Sequence, residues 1–204
     1  PGYAKIFEKV IHKKLTSFFD KYNVISKDQY GFKKKHSTEM AIIELIRYIG
    51  MAANEKKFTA GVFLDLSKAF DCVDHEILLN KLEHYGVRGK GLMLLKSYLN
   101  DRSQYVRWNE KDSNMQKINI GVPQGSILGP LLFAIYINDL PNTLDSFKYI
   151  MYADDTNVFR SNKKIDELIN EINNGVQLFI KWFRDNKLTI NKEKTKLMVF
   201  GPVQ

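Results

Sequence analysis

Tyr149-Ile150-Met151-Tyr152-Ala153-Asp154-Asp155-Thr156-Asn157-Val158-Phe159 is the stretch on which the reading of this chain turns. Two short apolar runs, Tyr149–Ala153 and Thr156–Phe159, are joined through Asp154-Asp155, which predicts a β-hairpin with acids at its tip. Upstream, Phe58–Leu66 is another short, mostly apolar run that holds one carboxylate, Asp65, and reads as a buried strand. Asp74 is placed to cap a helix running through Tyr85 and closed by Gly86. Gly91–Asn100 reads as a further helix. Gln104–Trp108 and Gln116–Ile120 flank the polar stretch Asn109–Asn114 and read as a second hairpin. Pro123-Gln124-Gly125 is a turn leading into the apolar segment 127–137, read as a buried helix.

Toward the ends, Tyr3, Ile6, Phe7, Val10, Ile11, Leu15, Phe18 and Tyr22 recur at three- and four-residue steps, the pattern of an amphipathic helix. Ser37-Thr38-Glu39 can start a second helix with Met40, Ile43, Ile46 and Ile49 on one side. Ile165, Leu168, Ile172, Val176, Phe179 and Phe183 predict an amphipathic helix over 164–184. Leu188–Ile190 and Leu197–Phe200 read as terminal strands around a basic turn. The resulting order is an α+β layout, with helices on one face of a mostly antiparallel sheet.

Composition narrows the classes. The chain has 204 residues, 44% hydrophobic and 26% charged, which suits a folded globule with a substantial core. Cys72 is the single cysteine, so an internal disulfide and a cysteine-based metal site are both excluded. No stretch reaches the roughly 18 apolar residues of a membrane span. The formal charge of +8 is uneven. Residues 1–60 carry 12 basic and 6 acidic groups, 61–160 carry 11 and 12, and 161–204 carry 8 and 5. A basic surface favours polyanions, although charge alone fits a solvated surface as well. The chain opens Pro1-Gly2-Tyr3 without an initiator Met, and reads as a fragment or a processed product.

Asp65, Asp154 and Asp155 are out of place in apolar strands. A buried carboxylate costs several kcal/mol unless it is paired or bound to a metal, and adjacent carboxylates repel. Taken singly, an Asp at a strand end reads as a cap and Asp-Asp at a hairpin tip as a solvated turn. Taken together they point to a divalent cation. Hard oxygen ligands suit Mg²⁺, and with no His or Cys in the set zinc is disfavoured. Two ions held roughly 3.5–4 Å apart by carboxylates are the arrangement of polymerases and nucleases.

Phe63-Leu64-Asp65-Leu66-Ser67-Lys68-Ala69-Phe70-Asp71 resembles the first catalytic palm motif of reverse transcriptases of non-LTR (LINE-type) retrotransposons. Gly121-Val122-Pro123-Gln124-Gly125-Ser126-Ile127-Leu128-Gly129-Pro130 resembles their second palm motif, and Tyr152-Ala153-Asp154-Asp155 their catalytic hairpin. Gln29-Tyr30-Gly31-Phe32-Lys33-Lys34-Lys35-His36-Ser37-Thr38 is similar to their fingers motif. The likeness covers nearly the whole chain, and the texture is closest to jockey-like elements. It implies a right-handed polymerase, with a fingers part over 1–57 and a palm over 58–204 that carries an inserted helix and hairpin around 87–120. It implies that Asp65, Asp154, Asp155 and the backbone carbonyl of Leu66 hold two Mg²⁺ ions, with Mn²⁺ as a substitute. It implies RNA template, DNA primer and deoxynucleoside triphosphates as partners, no membrane, and a nuclear step. The chemistry would be in-line attack of a primer 3′-hydroxyl on the α-phosphate, with pyrophosphate leaving.

The same resemblance implies that Phe70 is a steric gate against the ribose 2′-hydroxyl; on the residue alone it reads as a core aromatic. It sets Gln124 near the incoming nucleotide and template, a residue otherwise read as part of a turn. It makes Lys33 and Lys35 candidates for the triphosphate, although relatives carry Arg at the position of Lys33 and a Gly near Lys35. Lysine brings charge without the bidentate fork of arginine. Tyr105, Arg107, Trp108 and Lys111 read either as groups that stack on bases and meet phosphates or as half-buried strand residues. Lys192, Lys194 and Lys196 read either as a duplex path or as solubilising charges, and Asp71, Asp74 and Asp139 as helix-end residues. A thumb has no room before Gln204, and no endonuclease or RNase H segment can be placed. Three readings follow: a reverse transcriptase core, a non-catalytic nucleic-acid-binding remnant, and a palm enzyme that makes RNA, against which Phe70 speaks.

Overall fold

The computed structural model describes residues 2–100 and 102–201. Helices α1 (Gly2–Lys21) and α2 (Thr38–Asn54) precede strand β1 (Phe58–Leu64). A 3₁₀ turn over Ala69–Cys72 leads to α3 (His75–His84) and α4 (Gly89–Leu99). Four two-residue strands follow, β2 (Ser103–Gln104), β3 (Arg107–Trp108), β4 (Lys111–Asp112) and β5 (Gln116–Lys117). The chain continues through α5 (Gly129–Tyr136), β6 (Lys148–Tyr152), β7 (Asp155–Asn162), α6 (Ile165–Asp185) and β8 (Lys196–Phe200).

One antiparallel sheet, ordered β6-β7-β1-β8, organises the molecule. Alternation along β1 splits its side chains. Ala60, Val62 and Leu64 enter the main core with Tyr149, Met151 and Val158, while Phe63 faces the other way with Ile150 and Phe159. The main core is closed by Ile11, Leu15 and Phe19 of α1, by α3, by α5, whose residues other than Pro130 are all buried, and by Leu168, Ile172, Phe179 and Phe183 of α6.

Local chemistry explains the ends of these elements. Ser37, in extended backbone, accepts the Met40 N–H and starts α2. Asp74 accepts the Ile77 N–H at 3.0 Å and starts α3. The N-terminus of α5 is capped from a distance, because Glu8 of α1 accepts the N–H groups of Ile127 (2.6 Å) and Leu128 (3.3 Å). That carboxylate answers the orphan donors and the positive end of the helix together.

Four expectations are revised. Helices cover both faces of the sheet, since α2 packs on the face carrying Phe63, Ile150 and Phe159. The buried face of α2 is Ala41, Leu45, Tyr48 and Ala52, whereas Met40, Ile43 and Ile46 are 44%, 63% and 64% exposed. The sheet surface there is built of rings, so small alanines bring the helix close and the larger aliphatics stay outside. The expected 104–120 hairpin is two separate two-residue ladders, β2 with β5 and β3 with β4, exposed throughout. Its tight turn is Asn109-Glu110, both with positive φ. Leu188–Ile190 is no strand; only an isolated bridge joins Ile190 to Leu66. No helix among the described residues is long and apolar enough to cross a membrane.

Candidate active site

Asp65 is the first residue beyond β1, and Asp155 is the first residue of β7. The β1–β7 register ends at Leu64 opposite Thr156, so Asp65 and Asp155 are the two residues that flank the end of that ladder. Both lie on the face that carries Phe63 and Asn157. Asp154 sits beside them in the two-residue turn Ala153-Asp154, closed by the pairing of Tyr152 with Asp155. Ala153 takes φ +58 there, a conformation that favours glycine.

The segment before β8 secures Asp65 from the other side. Asn191 N–H donates to the Asp65 carbonyl at 2.8 Å and Ser67 N–H donates to the Thr189 carbonyl at 2.9 Å. Lys194 Nζ stands 4.0 Å from Asp65 Oδ2. Asp65 and Asp155 line one cavity of about 400 Å³, shared with Thr38, Phe63, Tyr152 and Lys194. Partial loss of solvent raises the pKa of Asp155, and the charges of Asp154 and Asp65 raise it further. The acids are less buried than their apolar flanks predict: Asp155 is exposed, and Asp65 and Asp154 are half-buried.

Among the described residues, no three acidic, His or Cys side chains form a closed metal-ligand group. The donor chemistry nevertheless fits a hard cation that takes carboxylates and fills its remaining positions with water and phosphate oxygens. Asp155 is raised first by loss of solvent and then by the charges of Asp154 and Asp65, both of which such a cation would offset.

The remaining candidates lie around this pair. Leu66 is buried and bridged to Ile190. Phe70 is half-buried in the 3₁₀ turn, 4.7 Å from the Phe133 ring and 6.5 Å from the Phe32 ring, so it links the main core to the loop between α1 and α2. Gln124 is exposed and donates from Nε2 to both oxygens of Asp71 at 2.9 and 3.1 Å. Gly121, at φ +85, makes this approach possible, since a Cβ there would lie 2.9 Å from the Asp71 carbonyl oxygen. The two motifs are laced further by Gly121 N–H to the Val73 carbonyl and Val122 N–H to the Phe70 carbonyl. Lys33 is half-buried and donates to the Ser26 carbonyl at 3.1 Å; burial is the main cause of its lowered pKa. Lys35 is exposed. The cavity of Asp65 and Asp155 is not lined by Phe70, Gln124, Lys33 or Lys35.

For two residues named from the sequence, Asp71 and Lys194, the partners were not foreseen. Asp71 is the partner that orients Gln124, and Lys194 is the cation nearest Asp65. The alternation of Lys192, Lys194 and Lys196 was the only signal for the second; nothing local marked the first.

The family described as "Reverse transcriptase (RNA-dependent DNA polymerase)" matches residues 2–202. The "Probable RNA-directed DNA polymerase from transposon BS" of Drosophila melanogaster is 31% identical over 94% of this chain and 22% of its own length. The "RNA-directed DNA polymerase from mobile element jockey" of the same species is 30% identical over 98% of this chain and 23% of its own length. This chain thus spans under a quarter of the length of these curated relatives. Among solved structures, apo telomerase from Candida tropicalis, truncated from its C-terminal domain, aligns at TM-score 0.68 with 14% identity, over 97% of this chain and 41% of that one. Telomerase from Candida albicans, in complex with a fragment of telomeric RNA, aligns at 0.64 with 14% identity, over 94% and 35%. These likenesses show the fold.

Proposed function

This chain belongs to the reverse transcriptase (RNA-dependent DNA polymerase) family, and from that premise we propose that it carries the catalytic core of a non-LTR retrotransposon RNA-directed DNA polymerase. The observation that carries the reading is the β1–β7 ladder that ends at Leu64 and Thr156, which leaves Asp65 and Asp155 together at its end with Asp154 in the adjoining turn. The substrates are an RNA template, a primer and deoxynucleoside triphosphates. Residues 1–57 serve as the fingers part and 58–204 as the palm, of which 1, 101 and 202–204 lie outside the described residues. The setting includes a nuclear step.

Asp65, Asp154, Asp155 and the Leu66 carbonyl would hold divalent ions, two Mg²⁺ or Mn²⁺ in their place. Such ions supply charge neutralisation at the triphosphate and activation of the primer 3′-hydroxyl. The protein's own contribution is positioning and electrostatics. Lys33 and Lys35 offer positive charge to the triphosphate from the fingers loop. Phe70, whose ring lies 6.5 Å from that of Phe32 and 4.7 Å from that of Phe133, would act as the gate against a ribose 2′-hydroxyl. Gln124, oriented by Asp71, would approach the incoming nucleotide and template. The primer oxygen attacks the α-phosphorus and the bond to pyrophosphate breaks.

Primer extension on an RNA template, with Mg²⁺ and deoxynucleotides, tests the reading. Asp154→Asn is expected to lower incorporation at least about 100-fold while RNA binding persists. Incorporation unchanged in Asp154→Asn and in Asp155→Asn overturns it. Salt-sensitive binding without incorporation by the parent chain favours a non-catalytic nucleic-acid-binding role.

A further inference from the structure

The segment leading to the fingers lysines is bonded directly to the strand that ends in the acidic turn. Met151 N–H donates to the Asp28 carbonyl and Tyr30 N–H donates to the Met151 carbonyl, both at 2.8 Å, so Gln29 runs parallel to the outer edge of β6. Gln29 is 1% exposed. Its Oε1 accepts the Gly31 N–H at 2.8 Å, which curls the chain toward the hairpin tip. Lys148 at the start of β6 reaches Asp28 at 3.4 Å and Glu44 of α2 at 3.0 Å, clamping the same segment from its other end.

Gly31 is buried against the turn itself. A Cβ there would fall inside 3.0 Å of the Ala153 amide nitrogen, 3.1 Å from the Tyr152 carbonyl carbon and 3.2 Å from Ala153 Cα. These are backbone atoms, which cannot swing aside as a flexible side chain would. Ala153 meanwhile holds a left-handed conformation without glycine's freedom. Such a conformation persists where its surroundings over-determine it, and the Gly31 backbone is packed directly against it.

We propose that Gln29 and Gly31 are positioning residues for the carboxylate turn. The strut Asp28–Gly31 holds Ala153 in its left-handed conformation, and so sets how Asp154 and Asp155 meet Asp65. Lys33 and Lys35 follow directly on the strut, which therefore ties the fingers loop and the carboxylates into one piece. The inference rests on reading those three carboxylates as the metal-binding set.

The experiment combines amide resonances of Ala153, Asp154 and Asp155, read by NMR on the metal-free chain, with Mn²⁺ affinity read by electron paramagnetic resonance. Gly31→Ala is expected to displace all three resonances and weaken Mn²⁺ binding by about tenfold, the scale on which support of metal ligands acts, with melting still cooperative. Gln29→Leu, which removes the acceptor for Gly31 N–H without crowding the turn, shifts the same resonances by less. Gly50→Ala on α2, with open space around it, leaves both readouts at parent values. Unmoved resonances and parental Mn²⁺ affinity in both Gly31→Ala and Gln29→Leu overturn the strut. Should Gly31→Ala fail to fold, Gln29→Leu decides by itself. A parent that binds no Mn²⁺ removes the polymerase reading, while the resonances still judge the strut.

Discussion

At the scale of single residues, Asp155 shows how a site can weaken the fold that carries it. Its carboxyl titrates above the ordinary range, through partial desolvation first and then through Asp154 and Asp65. A raised folded-state pKa contributes stability below the unfolded pKa and loses it as pH rises through the folded value. At neutral pH the metal-free chain therefore carries Asp155 as a penalty, muted by solvent because the residue is exposed. Asp155→Asn is expected to raise Tm at neutral pH by about 1–2 °C, and the advantage shrinks as pH falls into the carboxylate range. Thermal melts of both chains across pH check this, and a lower Tm for the variant at neutral pH contradicts it. The three acids were legible because each breaks an apolar strand. Their degree of burial was not, because the strand ends open into a cavity that only the packing of α2 creates.

At the scale of elements, α6 gives the sharpest test of packing over propensity. Gly175 lies in its middle, where glycine costs roughly 1 kcal/mol against alanine. A Cβ at that position would lie 2.6 Å from the Phe147 ring, which is itself packed edge-on against Phe179 at 5.5 Å. Overpacking of this kind costs about 1–3 kcal/mol, which outweighs the gain in propensity. Gly175→Ala should therefore lower stability in denaturant melts; an increase would mean that Phe147 yields freely. The periodicity of α6 was read correctly because Leu168, Ile172, Phe179 and Phe183, buried residues of this helix, fall at three- and four-residue multiples along one side. In α2 the same rule selected Met40, Ile43 and Ile46, which face solvent. That helix carries apolar residues all round, so spacing alone does not choose a face; the aromatic surface of Phe63 and Phe159 chooses the alanines.

At the scale of the whole molecule, the net charge of +8 sits at the two ends of the chain, while the central 61–160 segment is nearly balanced. Contacts of the basic regions with a nucleic-acid backbone release counterions, so RNA affinity should fall linearly with salt on logarithmic axes, with a slope of about −2 or steeper. Fluorescence anisotropy across a salt series measures it, and a flat line argues against a phosphate-led surface. Residues that answer to close neighbours carry their own structural signal. The hairpin with its acidic tip, the Asp74 cap, the period of α6 and the buried α5 were thus determined by the sequence itself, through period, capping and turn chemistry acting over a few residues, while the polymerase motifs were legible through their resemblance to a known family. Tertiary structure alone decided which face of α2 is covered, that Gln124 meets Asp71, that Glu8 caps α5 from 119 residues away, and that Gly31 must stay small beneath Ala153. Those outcomes depend on strand register and on which surfaces come to share a core, and no local preference encodes the distance between segments so far apart in the chain.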